Sequence, residues 1–283
     1  LALEQLVRDV REATVNIEAV RSSARLNAPD RYYAALFAPA PVRGDLIALA
    51  AFDGEIARIA QLVSDVALGE IRIAWWRDAL LGGDRTSDLT GNPVLDQFAD
   101  VVQRHGLSSA ALEAYFDAHM DALFADPPAD DIALNERFRA IDGTPLAFAL
   151  QILHGPLDAD ANDLIGAAGR ASGLTRMALT LPYALAAHRA PLPETRSPAP
   201  SNMDWRPQIA WLAQEAGAAL AAVRRQLTGK TQDFTTALLP LALIEPYFRA
   251  LQKPRHEPSR DIVEIAPLAR LWRIARAHWT GAL

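Results

Sequence analysis

The chain has no cysteine, which excludes disulfides, zinc–thiolate sites, iron–sulfur clusters and thiol nucleophiles. It is also nearly without lysine. Lys230 and Lys253 are the only two among 28 basic residues, and the rest are arginine. Together with the many alanines, that bias fits a GC-rich coding sequence and hence a bacterium, and it carries no chemistry. An excess of positive charge is missing too. The formal net charge of -6 offers no basic stripe to phosphates, so no nucleic-acid partner is expected.

Long apolar runs are absent as well. The uncharged stretch Met177 to Ala187 is too short to span a bilayer and contains Pro182. Leu1 to Val10 carries Glu4, Arg8 and Asp9, unlike a secretory leader. The expectation is a cytoplasmic protein. Peripheral contact with the inner membrane stays open, because 51% of the residues are hydrophobic. Gly and Pro are not in excess, which indicates a globular chain able to bury a substantial core.

Alternating strand patterns and Asn-Gly hairpins do not occur, and no fixed-period repeat is visible. What is present is helical periodicity. Leu46, Leu49, Ala50, Ile56, Ile59 and Val63 mark the buried face of a helix over Val42–Asp65. Further helices are predicted over Glu70–Leu81, stopped by Gly82-Gly83, over Pro93–His105, stopped by Gly106, and over Ser108–Phe124 from a serine cap. Ile132–Leu153, interrupted near Gly143 and Pro145, Asp158–Arg189, Asp204–Leu227, Thr235–Gln252 and Ile262–Trp279 follow. The fold class is all-α. Residues 1–283 read as one domain, with a Pro-rich crossover at about 190–203 rather than an interdomain linker, because the helices on both sides carry apolar faces needing partners.

Chemistry-bearing motifs are sparse. The six histidines form no metal-ligand pair at one-turn spacing. Gly166, Gly169 and Gly173 lie in a helical pattern with no strand before them, so they suit close helix packing rather than a phosphate loop. The densest local signal is Ile71 to Asp78, with Trp75 and Trp76 adjacent. Two readings stand: a structural core edged by arginines, or the wall of an apolar cavity with Arg72 or Arg77 at its mouth.

Asp30-Arg31-Tyr32-Tyr33, Leu46 to Phe52, and Gly69-Glu70-Ile71-Arg72 with Trp75-Trp76-Arg77 together resemble the squalene/phytoene synthase family. The likeness is to the branch that includes the mitochondrial respiratory complex I assembly factor. Ala171-Ser172-Gly173-Leu174 through Arg189 and Leu192-Pro193 resembles the family's second signature region. The likeness covers about residues 25–80 and 140–195 and is weak over the C-terminal third. It implies a helical bundle of the isoprenoid (trans-prenyl) synthase type. In working members it implies head-to-head coupling of two prenyl diphosphates, with Mg²⁺ held by two aspartate pairs one helical turn apart on facing helices.

Gap-free registration puts those aspartate positions on Ala57 and Gln61 in the first region, and on Thr180 and Ala184 in the second. Arg170 to Arg189 contains no Asp or Glu. Asp53 is a candidate cavity carboxylate, but it projects away from Glu55, and Glu55 reads as a local ion pair with Arg58. Arg58, Arg72, Trp75, Trp76, Arg176 and Arg189 complete the candidate cavity and anion-binding set, with no catalytic residue and no metal ligand assigned. The expected function is a non-catalytic or repurposed member: a lipid-binding scaffold, or an assembly factor for respiratory complex I. Its partners would be a prenyl or quinone-like lipid and a membrane respiratory-complex subunit. The alternative is an active prenyl transferase, which alone would require Mg²⁺. One geometric condition follows: Ala57, Gln61, Thr180 and Ala184 must face a common cavity.

Overall fold

The computed structural model describes residues 16–63, 65–82, 90–124, 126–198 and 204–283. Among these the secondary structure is helical, with no strand. The order is α1 (16–27), α2 (Pro29–Ala35), α3 (Ala40–Leu62), α4 (Val66–Leu81), α5 (Pro93–His105) and α6 (Ser109–Asp121). Then come α7 (Asp131–Phe138), a π-helical segment (Arg139–Gly143), α8 (Thr144–His154), α9 (Asp160–Ala186) and α10 (Arg206–Leu227). The chain ends with α11 (Gln232–Leu238), a 3₁₀ turn (Leu239–Leu243), α12 (Ile244–Leu251) and α13 (Pro267–Thr280).

Local chemistry sets most boundaries. Asn92 caps α5 by accepting from the amides of Val94 and Leu95, and Gly106 ends that helix at φ 58°, the left-handed value that glycine adopts without strain. Ser108 caps α6 through the amide of Ala111. Helix α4 begins a turn earlier than its sequence pattern predicts, because Asp65 accepts from the amide of Ala67 and starts it there. Gly82 follows its last turn, whereas Gly83 lies outside the described residues. Helices α1 and α2 went unpredicted, and α2, with 7 residues, is too short to show a clear period.

The predicted interruption near Gly143 and Pro145 is a change of helix type. Residues Arg139–Gly143 form one π turn between α7 and α8. Helix α9 packs against this turn at its closest point. A Cβ on Gly169 would sit 2.9 Å from the Gly143 Cα, and one on Gly173 only 2.2 Å from the Phe138 ring. Two of the three spaced glycines therefore mark a close helix approach. Gly166 faces open space.

An aromatic cluster binds α3 to α6. Phe52 stacks on Phe98 with centroids 4.0 Å apart and meets Trp76, Tyr115 and Phe116 obliquely or edge-on. Trp76 is therefore core. Trp75 meets Trp76 edge-on with centroids 5.5 Å apart but is 45% exposed, so the tryptophan pair divides between core and surface. One apolar core continues through the bundle. Arg170 ties α9 to Asn135 of α7 and to Glu215 of α10. The crossover between α9 and α10 buries Leu192 and places Arg196 over the Trp211 ring and against Asp131. Its later part, 199–203, lies outside the described residues. No described helix is long and apolar enough to cross a membrane.

Candidate functional site

A cavity of about 390 Å³ opens between α2, α3, α9, the π turn and the Leu239–Leu243 turn. Its wall carries four aspartates, Asp30, Asp53, Asp126 and Asp142, and four arginines, Arg31, Arg137, Arg176 and Arg189. Asp53 and Asp142 are buried and Asp30 is half-buried, deeply enough for each to need a partner. Asp142 sits on the π turn, only 3% exposed. Its two oxygens accept from Nε and Nη2 of Arg176 at 2.8 Å each, a bidentate fork across to α9. Asp53, from the middle of α3, pairs with Arg31 Nε at 2.9 Å and accepts from the Tyr115 hydroxyl at 3.0 Å. Asp30 pairs with Arg270 Nε of α13 at 2.6 Å and accepts from the Tyr247 hydroxyl at 2.9 Å.

Burial is the dominant influence on these groups. It raises the Asp53 and Asp30 carboxyls above their ordinary range, against the pull of Arg31 and Arg270. Burial also lifts the Tyr115 phenol, and the neighbouring Asp53 carboxylate lifts it further. For Arg176, burial works against the charge, but Asp142 outweighs it and the guanidinium is held more firmly protonated. His119, buried edge-on to Tyr115, is pushed down to about 3 by burial and by the Arg176 charge. It stays neutral, and its Nε2 has no hydrogen-bond partner among the described residues.

The structure brings Asp53, Arg176 and Arg189 to this cavity, together with Ala57, Gln61, Thr180 and Ala184. It does not bring Arg58, Arg72, Trp75 or Trp76, none of which lines the wall. Arg58 lies 3.5 Å from Glu55, which also accepts from Ser23 and Asn27. Arg72 is exposed on α4 and Arg77 pairs with Asp78. The cavity-wall reading of Ile71–Asp78 is thus corrected: the α4 face carrying Arg72 and Trp75 points to solvent, and Trp76 is claimed by Phe52. Arg176 commits Nε and Nη2 to Asp142, which balances its charge, while about a third of its side chain stays accessible. Arg189 donates to the Ala60 carbonyl at 2.8 Å, and burial lowers its pKa.

Sequence reasoning missed Asp142, Tyr115, His119, Arg137, Tyr247 and Arg270. No spacing rule could join Asp30 to Arg270, since they are brought together only when α13 docks on α2. Asp142 had a faint signal in the helix interruption beside it.

The donor set does not suit a hydrated Mg²⁺. Among the described residues no three His, Asp or Glu side chains converge on one point, and Asp30, Asp53 and Asp142 are each neutralised by a guanidinium. A divalent ion with octahedral demands would have to displace arginines first.

A helical bundle enclosing one central cavity is the architecture of the isoprenoid synthases. A profile of the squalene/phytoene synthase family matches residues 24–264, and the chain belongs to that family. A dehydrosqualene synthase in complex with ligand superposes with a TM-score of 0.74 at 15% identity, covering 95% of this chain and 98% of that one. Squalene synthase HpnC from Alicyclobacillus acidocaldarius superposes with a TM-score of 0.66 at 16% identity, covering 85% and 94%. At such identities the likeness is one of fold. No curated protein matches the chain.

Proposed function

We propose that this protein holds a prenyl-chain lipid in its cavity without ionising a prenyl diphosphate, as a non-catalytic or repurposed member of its family. The observation that carries the reading is the neutralisation of each buried cavity carboxylate by an arginine of the same chain. Ionising an allylic diphosphate needs carboxylates free to hold Mg²⁺ against the leaving group. Ala57, Gln61, Thr180 and Ala184, on which gap-free registration puts the family's aspartates, line the cavity, and with that registration the wall offers no carboxylate there.

The rest of the wall suits an apolar chain with a weakly polar head. Ile141, Met177, Leu179, Leu241 and Ile244 supply apolar surface. Arg137 and Arg189 form no ion pair within 4 Å among the described residues, although the Asp121 carboxylate acts on Arg137 from farther off, and both can donate to a quinone carbonyl or prenol oxygen. The branch resemblance adds a role. A lipid-loaded scaffold of this kind would assist assembly of respiratory complex I, working from the cytoplasmic side of the inner membrane against a membrane subunit.

The second reading is head-to-head prenyl transfer. Family membership and the likeness to a squalene synthase and a dehydrosqualene synthase favour it. Release of diphosphate from farnesyl and geranylgeranyl diphosphate, with and without Mg²⁺, separates the two. The expected result is no release above the protein-free control. Metal-dependent turnover with a coupled hydrocarbon product overturns the non-catalytic reading.

A further inference from the structure

The solvent face of α13 has no partner among the described residues. Leu268, Trp272 and Trp279 are 81%, 64% and 71% exposed. With Arg276 they recur at intervals of four, four and three residues, which aligns them along one side of the helix. Arg273 flanks that side, half-buried. No Asp or Glu occurs between Pro267 and Leu283, the preceding acidic residue being Glu264. Neither Arg273 nor Arg276 forms an ion pair among the described residues. A cationic, tryptophan-bearing helix face on a chain of net charge -6 is a local concentration that the overall composition does not explain.

The opposite face of α13 is anchored. Arg270 is buried and ion-paired with Asp30, and Ile274, Ala275 and Ala277 are buried beside it. The helix is therefore preformed and presents its outer side as a fixed surface. It also lies outside the stretch that the family profile matches.

We propose that α13 is an interfacial helix that seats the protein on an anionic lipid bilayer. Indole rings favour the headgroup level, where the apolar ring and the polar N–H are both satisfied, and guanidinium groups meet lipid phosphates there. The helix lies in the membrane plane, since none of the described helices can cross a bilayer. The other exposed apolar stripe, Leu68, Ile71 and Trp75 on α4, is interrupted by both Glu70 and Arg72 and has no net charge to select a lipid. This inference rests on the peripheral-membrane part of the proposed function and is independent of what fills the cavity.

Co-sedimentation of the full chain tests it, using vesicles of phosphatidylcholine alone and vesicles partly replaced by phosphatidylglycerol. The expected result is binding to the anionic vesicles, weakened by salt. The pair Arg273→Glu/Arg276→Glu and the pair Trp272→Ser/Trp279→Ser should each weaken it roughly tenfold or more, with circular dichroism unchanged. Leu68→Ser/Trp75→Ser should bind as the parent does. No binding to anionic vesicles, or binding undiminished by both α13 pairs, overturns the proposal. So does loss confined to the α4 variant, or conversion of a dimer to a monomer by Trp272→Ser/Trp279→Ser, which would mean that a second copy covers the face. The thermal shift caused by a prenol without vesicles, measured on the same variants, reads the cavity alone and separates failure of this inference from failure of the ligand reading.

Discussion

Asp142 and Arg176 form the most demanding contact in the site, because the carboxylate is almost wholly buried while about a third of the arginine side chain stays accessible on the cavity side. Removing the guanidinium leaves a buried charge with nothing to meet it. Arg176→Met should therefore lower stability by about 3 kcal/mol in urea unfolding, while Arg176→Met/Asp142→Asn should recover most of the loss. His119 makes a prediction in pH. Its native pKa near 3 lies below the ordinary 6.5, so between those values the unfolded chain binds the extra proton. Stability contributed by the neutral ring is complete above pH 6.5 and is lost as pH falls toward 3, at a slope of up to about 1.4 kcal/mol per pH unit. Asp30 and Asp53, with raised native pKa values, act in the opposite sense at the acid end, favouring the fold when protonated. The difference between the parent and His119→Phe in unfolding free energy across pH isolates the histidine. A difference that does not vary with pH would show that the ring is not held neutral.

At the scale of elements, the approach of α9 to the π turn decides where the site's charges meet. A methyl on Gly173 would overlap the fully buried Phe138 ring and crowd the Asp142 carboxylate at 2.9 Å. Gly173→Ala is expected to destabilise by about 1–3 kcal/mol. Gly166, on the same helix with open space around it, should respond the other way: Gly166→Ala should stabilise by about 0.5–1 kcal/mol through helix propensity and a less disordered unfolded chain. Thermal melts of the two variants side by side measure whether packing or propensity governs each position. The periodicity that revealed α3, α5, α6, α9 and α10 could not distinguish these glycines, because a helix's own pattern does not say which neighbour it meets.

For the whole molecule, the cavity's near-neutral lining predicts a ligand whose binding is apolar in origin. A prenol or short-tailed quinone present at about 100 times its Kd would add about 2.7 kcal/mol of stability. In a chain of this size that should raise the melting temperature by several degrees. Ala57→Phe, which fills the cavity from α3, should abolish that shift while leaving the fold intact. A shift that survives Ala57→Phe would place the ligand elsewhere. On the proposed reading, prenyl diphosphates should stabilise no better with Mg²⁺ than without it, because Asp30, Asp53 and Asp142 are each already paired with an arginine.

Legible from the residues alone were the all-α class, the course of the long helices, and the lack of any carboxylate from Arg170 to Arg189. These are local properties, fixed by side-chain period, caps and composition over a few turns. Tertiary structure alone decided which charges meet. Asp53 finds Arg31 and Tyr115, Asp142 finds Arg176, and Asp30 finds Arg270 from the far end of the chain. It also decided that Trp76 belongs to the core and Trp75 to the surface, although the two are neighbours. Ion pairing in a low-dielectric interior depends on distances of a few ångströms between segments up to 240 positions apart, and no one-dimensional pattern encodes those distances.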